Sequence, residues 1–321
     1  MAVPTDGRQI DNLLSTTLDY FMPDLYDQVY NSNALFGKLA EMGNIVEGGA
    51  QCNAGLIYDK VPGGPYGKNE AFNTDEVETT TQFRWPWARY YANGTIDGLE
   101  AILNSGEYAL VNRVETMVEQ CKMRLCDDLG SDLITSLGTD SRRVVGLAAY
   151  VNDGTIGGAT TYGGITYGTD TLGAAIKSVT ETTGGAFSLS GVNVQYQEAS
   201  KRPTAPNLVL TTQTLWNKWW DRAQPAQQIP SGSDFNYMAK LGFDVIKMNR
   251  ADVIEDSHVP TGYIYILTTD YMELQVIKER NLVWDGWYRP GNRDQRIGQV
   301  LWAGQLAGRS PRLNAVMTGV T

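Results

Sequence analysis

The sequence predicts an α+β protein: an N-terminal arm, a long β-hairpin, one long helix, and a strand-rich second half. Three observations carry this. Tyr108, Val111, Val114, Met117, Val118, Cys121, Leu125, Leu129, Leu133 and Leu137 recur every three or four residues with no proline among them. Phe83, Trp85 and Trp87 alternate after a threonine run at 79–81. The remainder is rich in Gly, Thr and Asn, with 34 glycines in 321 residues, a composition of strands and turns rather than helices.

Residues 1–55 are weakly patterned. Leu35, Phe36, Leu39 and Met42 fall at helical spacing and Gly48-Gly49 closes the stretch, so an extended arm with one or two short helices is expected; an ordinary N-terminal subdomain is the alternative. Residues 56–95 are expected to form a hairpin. Leu56-Ile57-Tyr58 starts it, Pro62-Gly63-Gly64-Pro65 supplies turn chemistry, and Phe83, Trp85 and Trp87 share one strand face. Pro86 lacks a donor, so pairing should end there or the strand should lie at an edge. A two-stranded ribbon cannot bury three large aromatics; they need either this chain's own core or a neighbouring subunit.

The helix is predicted over about 100–138, which at 1.5 Å per residue spans about 55–60 Å. The usual globular helix has about 11–12 residues. Gly106 and Gly130 are its weak points. Beyond it, Val144–Leu147 reads as a short strand fragment and Thr171–Thr183 as a helix stopped by Gly184-Gly185. Tyr196 and Ala199 suggest another short helix, and Leu208–Leu210 a buried strand. Thr212 is placed to cap a helix on which Leu215, Trp216, Trp219 and Trp220 share a face. Strands follow at Phe243–Met248, Ala251–Ile254, Tyr263–Leu267 and Leu274–Ile277, then two strand-like runs around Pro290-Gly291-Asn292.

Composition narrows the function. The net charge is −10, which disfavours general nucleic-acid binding because phosphate contacts rest on Lys and Arg. Three cysteines, Cys52, Cys121 and Cys126, match no disulfide or metal framework and read as reduced thiols. Cys121 and Cys126 lie about 140° apart around the helix axis. The N-terminus lacks the basic and apolar regions of a signal peptide, and no run reaches the roughly 18 apolar residues of a membrane span. A soluble protein is expected, with no membrane partner.

No catalytic constellation emerges. Gly67-Lys68 fails as a phosphate loop because Pro62 and Asn69 stand where glycine and Ser or Thr are needed. The sole histidine, His258, would have to serve any Ser–His–Asp or Cys–His mechanism, but its setting before Pro260 and Gly262 reads as a loop, in which a surface or satisfied histidine is expected rather than a catalytic one. Asp127, Asp128 and Asp132 read as a solvated helix face, with a paired-carboxylate site as the alternative. The expectation is no enzyme, with no catalytic residues, no metal and no cofactor. Arg289, Arg293 and Arg296 surround the Pro290-Gly291 turn with Asp285 and Asp294 nearby. Such mixed charge suits salt bridges between copies of a subunit or a simple exposed turn.

Taken in order, these parts resemble the major capsid proteins of tailed bacteriophages, which share the Hong Kong 97 fold. The resemblance rests on Ile96-Asp97-Gly98-Leu99-Glu100 with Asn104 and Gly106 leading into the long helix, and on Gly146-Leu147. It continues through Leu241-Gly242-Phe243 to Asp256 with Pro260-Thr261-Gly262. It ends on Arg289-Pro290-Gly291-Asn292, Gly304-Gln305-Leu306 and Ser310-Pro311-Arg312-Leu313-Asn314.

The resemblance implies an N-terminal arm at 1–55, an extension loop at 56–95, and a peripheral domain from 96–143 and 271–298 that holds the spine helix. An axial domain follows from 144–270 and 299–321. It implies self-assembly into hexamers and pentamers of an icosahedral head enclosing double-stranded DNA without sequence-specific binding, for which acidic charge is suited. It places Phe83, Trp85 and Trp87 over an adjacent subunit and Arg289, Arg293 and Arg296 near local threefold axes. A separate scaffold protein, or none, is expected, with portal and decoration proteins as the further partners, and the implied location is the virion capsid, assembled in the host cytoplasm. Lys60, Lys68 and Asn292 have the residue types of the crosslink some members form, without a glutamate to match, so no crosslink is expected. An encapsulin-type shell around an enzyme cargo is the alternative with the same fold. A strand-rich enzyme using carboxylates and a Gly/Thr-rich tail protein are more distant readings.

Overall fold

Leu35 and Leu39, one turn apart on the helix α1 (Ala34–Glu41), are both buried. The computed structural model describes residues 33–99, 113–201, 203–223, 246–291 and 293–321. After α1 the first half runs β1 (Asn44–Val46), β2 (Cys52–Ile57), β3 (Thr80–Trp85), β4 (Ala88–Asp97), α2 (Arg113–Thr135) and α3 (Leu147–Tyr150). The middle holds β5 (Thr161–Tyr162), β6 (Ile165–Thr166), α4 (Thr171–Ala175), β7 (Val179–Glu181), α5 (Leu189–Ala199), β8 (Leu208–Thr211) and α6 (Gln213–Ala223). The last part holds β9 (Ile246–Met248), β10 (Ala251–Glu255), β11 (Ile264–Leu267), β12 (Met272–Ile277), β13 (Val283–Tyr288), β14 (Gln295–Gly308) and β15 (Ala315–Met317). The architecture is α+β, as the sequence predicts.

One five-stranded sheet is organised by β14. Along one edge β14 pairs antiparallel with β4 from Gln295↔Asp97 to Gly304↔Ala88. Along the other it pairs first with β13 and then with β12, and β1 adds in parallel beyond β12. The β13–β14 hairpin turns at Pro290-Gly291, where the sequence puts its turn signal. Because β14 continues unbroken from residue 295 to 308, it runs straight through the boundary expected between residues 298 and 299.

A six-stranded mixed sheet has the order β7-β15-β11-β8-β10-β9. Its central strands β8 and β11 are buried at every residue. Alternation divides their side chains between two cores. Leu208, Leu210, Tyr265 and Leu267 face the core shared with α2 and the first sheet, while Val209, Ile264 and Ile266 face α5 and α6.

The long helix is described as α2 from Arg113; the expected portion at 100–112, Asn104 and Gly106 included, lies outside the described residues. Leu125, Leu129 and Leu133 are fully buried, each burial being worth about 1.5–3 kcal/mol relative to exposure. Helical geometry ends at Thr135, short of the end expected near residue 138. Gly138 takes a positive φ of 71°, and Gly146 returns against the last turn, its N–H donating to the Ser136 carbonyl at 3.1 Å. Gly130 has a packing role. Asn33, just before α1, lies where a side chain on residue 130 would be, and its Nδ2 donates to the Cys126 carbonyl at 2.8 Å.

Local readings changed in several places. Thr171–Thr183 is helical only to Ala175, because Val179-Thr180-Glu181 pairs in parallel with β15; β-branched residues accept the edge that β15 offers. Asp170 caps α4 by accepting from the Gly173 N–H. Val144-Val145 is buried but not a strand, since the Val145 N–H donates to the Gln305 side chain at 2.8 Å. On α6, Leu215 and Trp219 are buried whereas Trp216 and Trp220 stack on one another 5.6 Å apart beside them, so the four do not share one face. Thr212 precedes α6, but its hydroxyl has no hydrogen-bond partner among the described residues.

Candidate functional site

The chemistry-bearing side chains are committed to structural bonds. Cys52 is buried, donates to Gln275 Oε1 at 3.0 Å, and burial pushes its thiol up to about 11. Burial also raises Cys121 and Cys126. Such thiols are poor nucleophiles because the thiolate is the reacting form. The three carboxylates of the α2 acidic patch each turn to a different partner: Asp127 to His258, Asp128 to Arg124, and Asp132 to Arg143 and Tyr90. Among the described residues no group of His, Cys, Asp and Glu is arranged to hold a metal ion.

His258 is a loop histidine of the satisfied kind, its side chain only 15% exposed. Its Nε2 lies 2.9 Å from Asp127 Oδ1 and its Nδ1 3.3 Å from Asp256 Oδ1. The Ser257 hydroxyl is 3.4 Å from Nδ1. A general base needs one ring nitrogen free to take the serine proton while the other is oriented by a carboxylate. Here both nitrogens face carboxylates, so the Asp256-Ser257-His258 run does not form a nucleophilic triad.

Phe83 and Trp85 at the root of the hairpin are spent within the chain. Phe83 and Trp85 stack at 5.4 Å, and both meet the edge of Tyr162, at 5.3 and 5.6 Å. Phe83 is 0% exposed and Trp85 1%. The reading in which they cover a neighbouring subunit is corrected: Tyr162 and Tyr150 from the 144–170 region supply the surface they need. Trp87 is half-buried and donates from Nε1 to the Gly49 carbonyl at 2.8 Å, tying the hairpin to the segment before β2. The paired strands are β2 and β3, in register from Cys52↔Trp85 to Ile57↔Thr80. Pairing stops at Pro86, as expected from its missing donor. From Ala88 onward the chain has left the hairpin and become β4 of the five-stranded sheet.

What the hairpin exposes is its tip. Ile57, Val61, Tyr66 and Phe72 each expose 68% or more, and Val77 exposes 44%. Tyr66 and Phe72 meet edge to face at 5.1 Å. Exposed apolar side chains also occur elsewhere, Tyr91 at 68% and Ile45 and Leu99 at 60%, but the stretch 57–77 gathers five of them. Between residues 58 and 79 the tip also carries Asp59, Glu70, Asp75, Glu76 and Glu78 against Lys60 and Lys68. These apolar residues follow no helical or strand period, so periodicity could not single them out; apolar residues inside a Gly, Pro and acidic run were the available signal.

The arginine turn is exposed. Arg289 pairs with Asp294, each side chain 67% exposed. Arg293 and Arg296 are exposed beside them. Asn292 lies outside the described residues. The turn is braced from β4: the Gly98 N–H donates to the Asp294 carbonyl at 2.8 Å, and a side chain at position 98 would meet the Asp294 carboxylate.

No family model matches the chain, and no curated protein matches it in sequence. Solved structures do. The capsid asymmetric unit of cyanophage A-1(L) matches over 97% of this chain and 99% of that one, with a TM-score of 0.70 at 15% identity. The chain has the fold of tailed-phage capsid proteins. The capsid of Myoviridae phage XM1 matches over 99% of this chain and 100% of that one, with a TM-score of 0.62 at 10% identity. The holo-SrpI encapsulin complex of Synechococcus elongatus PCC 7942 matches over 100% and 96%, with a TM-score of 0.60 at 10% identity. At such identities the likeness is one of backbone course. The capsid fold is held here by the Phe83–Trp85–Tyr162 cluster, the leucine face of α2 and the bonds of Gln305.

Proposed function

We propose that this chain is the major capsid protein of a tailed phage. Copies associate as hexamers and pentamers into an icosahedral shell that encloses double-stranded DNA. In this reading β2, β3 and the loop between them are the extension loop. The five-stranded sheet with α2 is the peripheral domain, and the six-stranded sheet with α5 and α6 is the axial domain.

The observation that carries the proposal is the hairpin. Its root is locked into the chain's own core by Phe83 and Trp85, yet its tip projects Ile57, Val61, Tyr66 and Phe72 into solvent. A firmly anchored arm with an unburied apolar tip is suited to reach a second copy. Arg289, Arg293 and Arg296, on an exposed turn with Asp294, supply charged contacts near local threefold axes. Each contact need supply only modest energy, because every subunit makes many at once. The net charge of −10 keeps the lining from gripping packaged DNA. A portal and decoration proteins, with a separate scaffold or none, complete the partners in this reading, and the shell is assembled in the host cytoplasm.

The likeness to an encapsulin supports a second reading, a compartment shell around an enzyme cargo. Electron microscopy of the full chain, expressed alone and then with its neighbouring genes, tests both. Closed shells or capsomer rings are expected. Nucleic acid inside supports the phage head, and a packaged enzyme supports the compartment. A monodisperse monomer or dimer under every condition would sink both.

A further inference from the structure

We propose that His258 is a proton-gated clasp that ties α2 to the six-stranded sheet and to the seat of α1, closed when its ring is doubly protonated and opening as the pH rises.

The geometry is a meeting of three elements. His258 lies in the loop between β10 and β11. From α2 the Asp127 carboxylate faces Nε2 at 2.9 Å. From its own loop Asp256 faces Nδ1 at 3.3 Å and also accepts the His258 N–H at 3.0 Å. The other Asp256 oxygen, Oδ2, accepts the Leu35 N–H at 3.3 Å, which seats the first turn of α1. The Ser257 hydroxyl is the further polar group at the ring. One turn before Asp127, Arg124 is engaged by Asp128.

An imidazolium has two N–H donors, whereas a neutral imidazole has one donor and one lone pair. Two carboxylates on opposite ring nitrogens are therefore both satisfied only by the charged ring. When the ring loses a proton, one carboxylate faces a lone pair. The Asp256 side chain is 1% exposed and the Asp127 side chain 44%. A buried carboxylate loses more by losing its donor than one that water can reach, so the remaining proton stays with Asp256. The contact that opens is the one to Asp127, releasing α2 from the loop while α1 stays seated.

Both carboxylates act in the same direction: hydrogen bonding to Asp256, then to Asp127, raises the histidine above its usual value against the opposing effect of burial. A raised folded-state value means that the stabilisation is fully present below the unfolded-chain value of about 6.5 and is lost as the pH rises through the folded-state value. His258 is the sole histidine in the chain. Burial moves Cys52, Cys121 and Cys126 upward, away from this window.

The test is urea unfolding and amide hydrogen exchange of the full chain in a pH series from about 6 to about 8.5, the range in which histidine titrates. For the native sequence the urea midpoint is expected to fall with rising pH, and exchange in 121–135 to speed severalfold beyond the intrinsic pH dependence, with 34–41 changing less. His258→Gln, which bonds without titrating, is expected to flatten both. Asp127→Asn keeps the ring and the buried Asp256 and is expected to reduce the slope by the share that Asp127 supplies while still folding, so the test survives if His258→Gln does not fold. A midpoint in the native chain that is flat or rises with pH overturns the clasp, as does an Asp127→Asn slope equal to the native one.

Discussion

Gly163 lies against the ring of Phe83: a Cβ built on the glycine would sit 2.6 Å from Phe83 Cδ1, and its φ is +56°. The Gly163 carbonyl also accepts the Arg84 N–H at 2.9 Å. The turn between β5 and β6 is thereby pressed onto the root of the hairpin. Gly163→Ala combines a left-handed backbone cost of about 1–2 kcal/mol with overpacking of about 1–3 kcal/mol. Urea unfolding should show a loss of about 2–5 kcal/mol. A loss below about 0.5 kcal/mol would mean that the two segments are not held together as described.

The root and tip of the hairpin should answer differently to mutation. Trp85→Ala empties a buried site and should cost about 3–5 kcal/mol of unfolding free energy. The pair Tyr66→Ser with Phe72→Ser, on exposed positions, should leave stability within about 0.5 kcal/mol yet prevent closed shells in electron micrographs. Normal shells from the tip variant would remove the tip from assembly.

Gln305 joins three segments. Its Oε1 accepts the Val145 and Leu306 N–H groups, and its Nε2 donates to the Pro86 carbonyl. It is 0% exposed. Gln305→Leu strands at least two buried backbone groups, at about 1–3 kcal/mol each. Calorimetry should show a markedly lower Tm, and an unchanged Tm would indicate that water replaces the side chain.

Cys52 offers a probe of the joint between β2 and β12. With its thiol raised to about 11, roughly a thousandth is thiolate at pH 8 in the native state. Iodoacetamide should modify it far more slowly in native than in urea-unfolded protein. Equal rates would show that this joint opens freely.

The long helix was legible because its apolar residues repeat with the helix, and Leu125, Leu129 and Leu133 do face the core. The turn at Pro290-Gly291 and the end of hairpin pairing at Pro86 were legible because proline and glycine act locally. The partner of Phe83 and Trp85 was not: Tyr162 lies 79 and 77 positions further on, and nothing local distinguishes a core from a neighbouring subunit. That His258 lies in a loop was legible, but its clasp was not, because Asp127 on α2 is 131 residues away.

By itself the sequence determined the α+β class, the long helix, the hairpin and the absence of the usual catalytic motifs, since these rest on periodicity, turn chemistry and residue counts. Tertiary structure alone decided which side chains are left over for contact. It consumed Phe83 and Trp85 in the core, left Ile57, Val61, Tyr66 and Phe72 outside it, drew Val179–Glu181 into a sheet and closed His258 between two aspartates. Burial and pairing depend on residues distant in sequence, and their free energy overrides local preference.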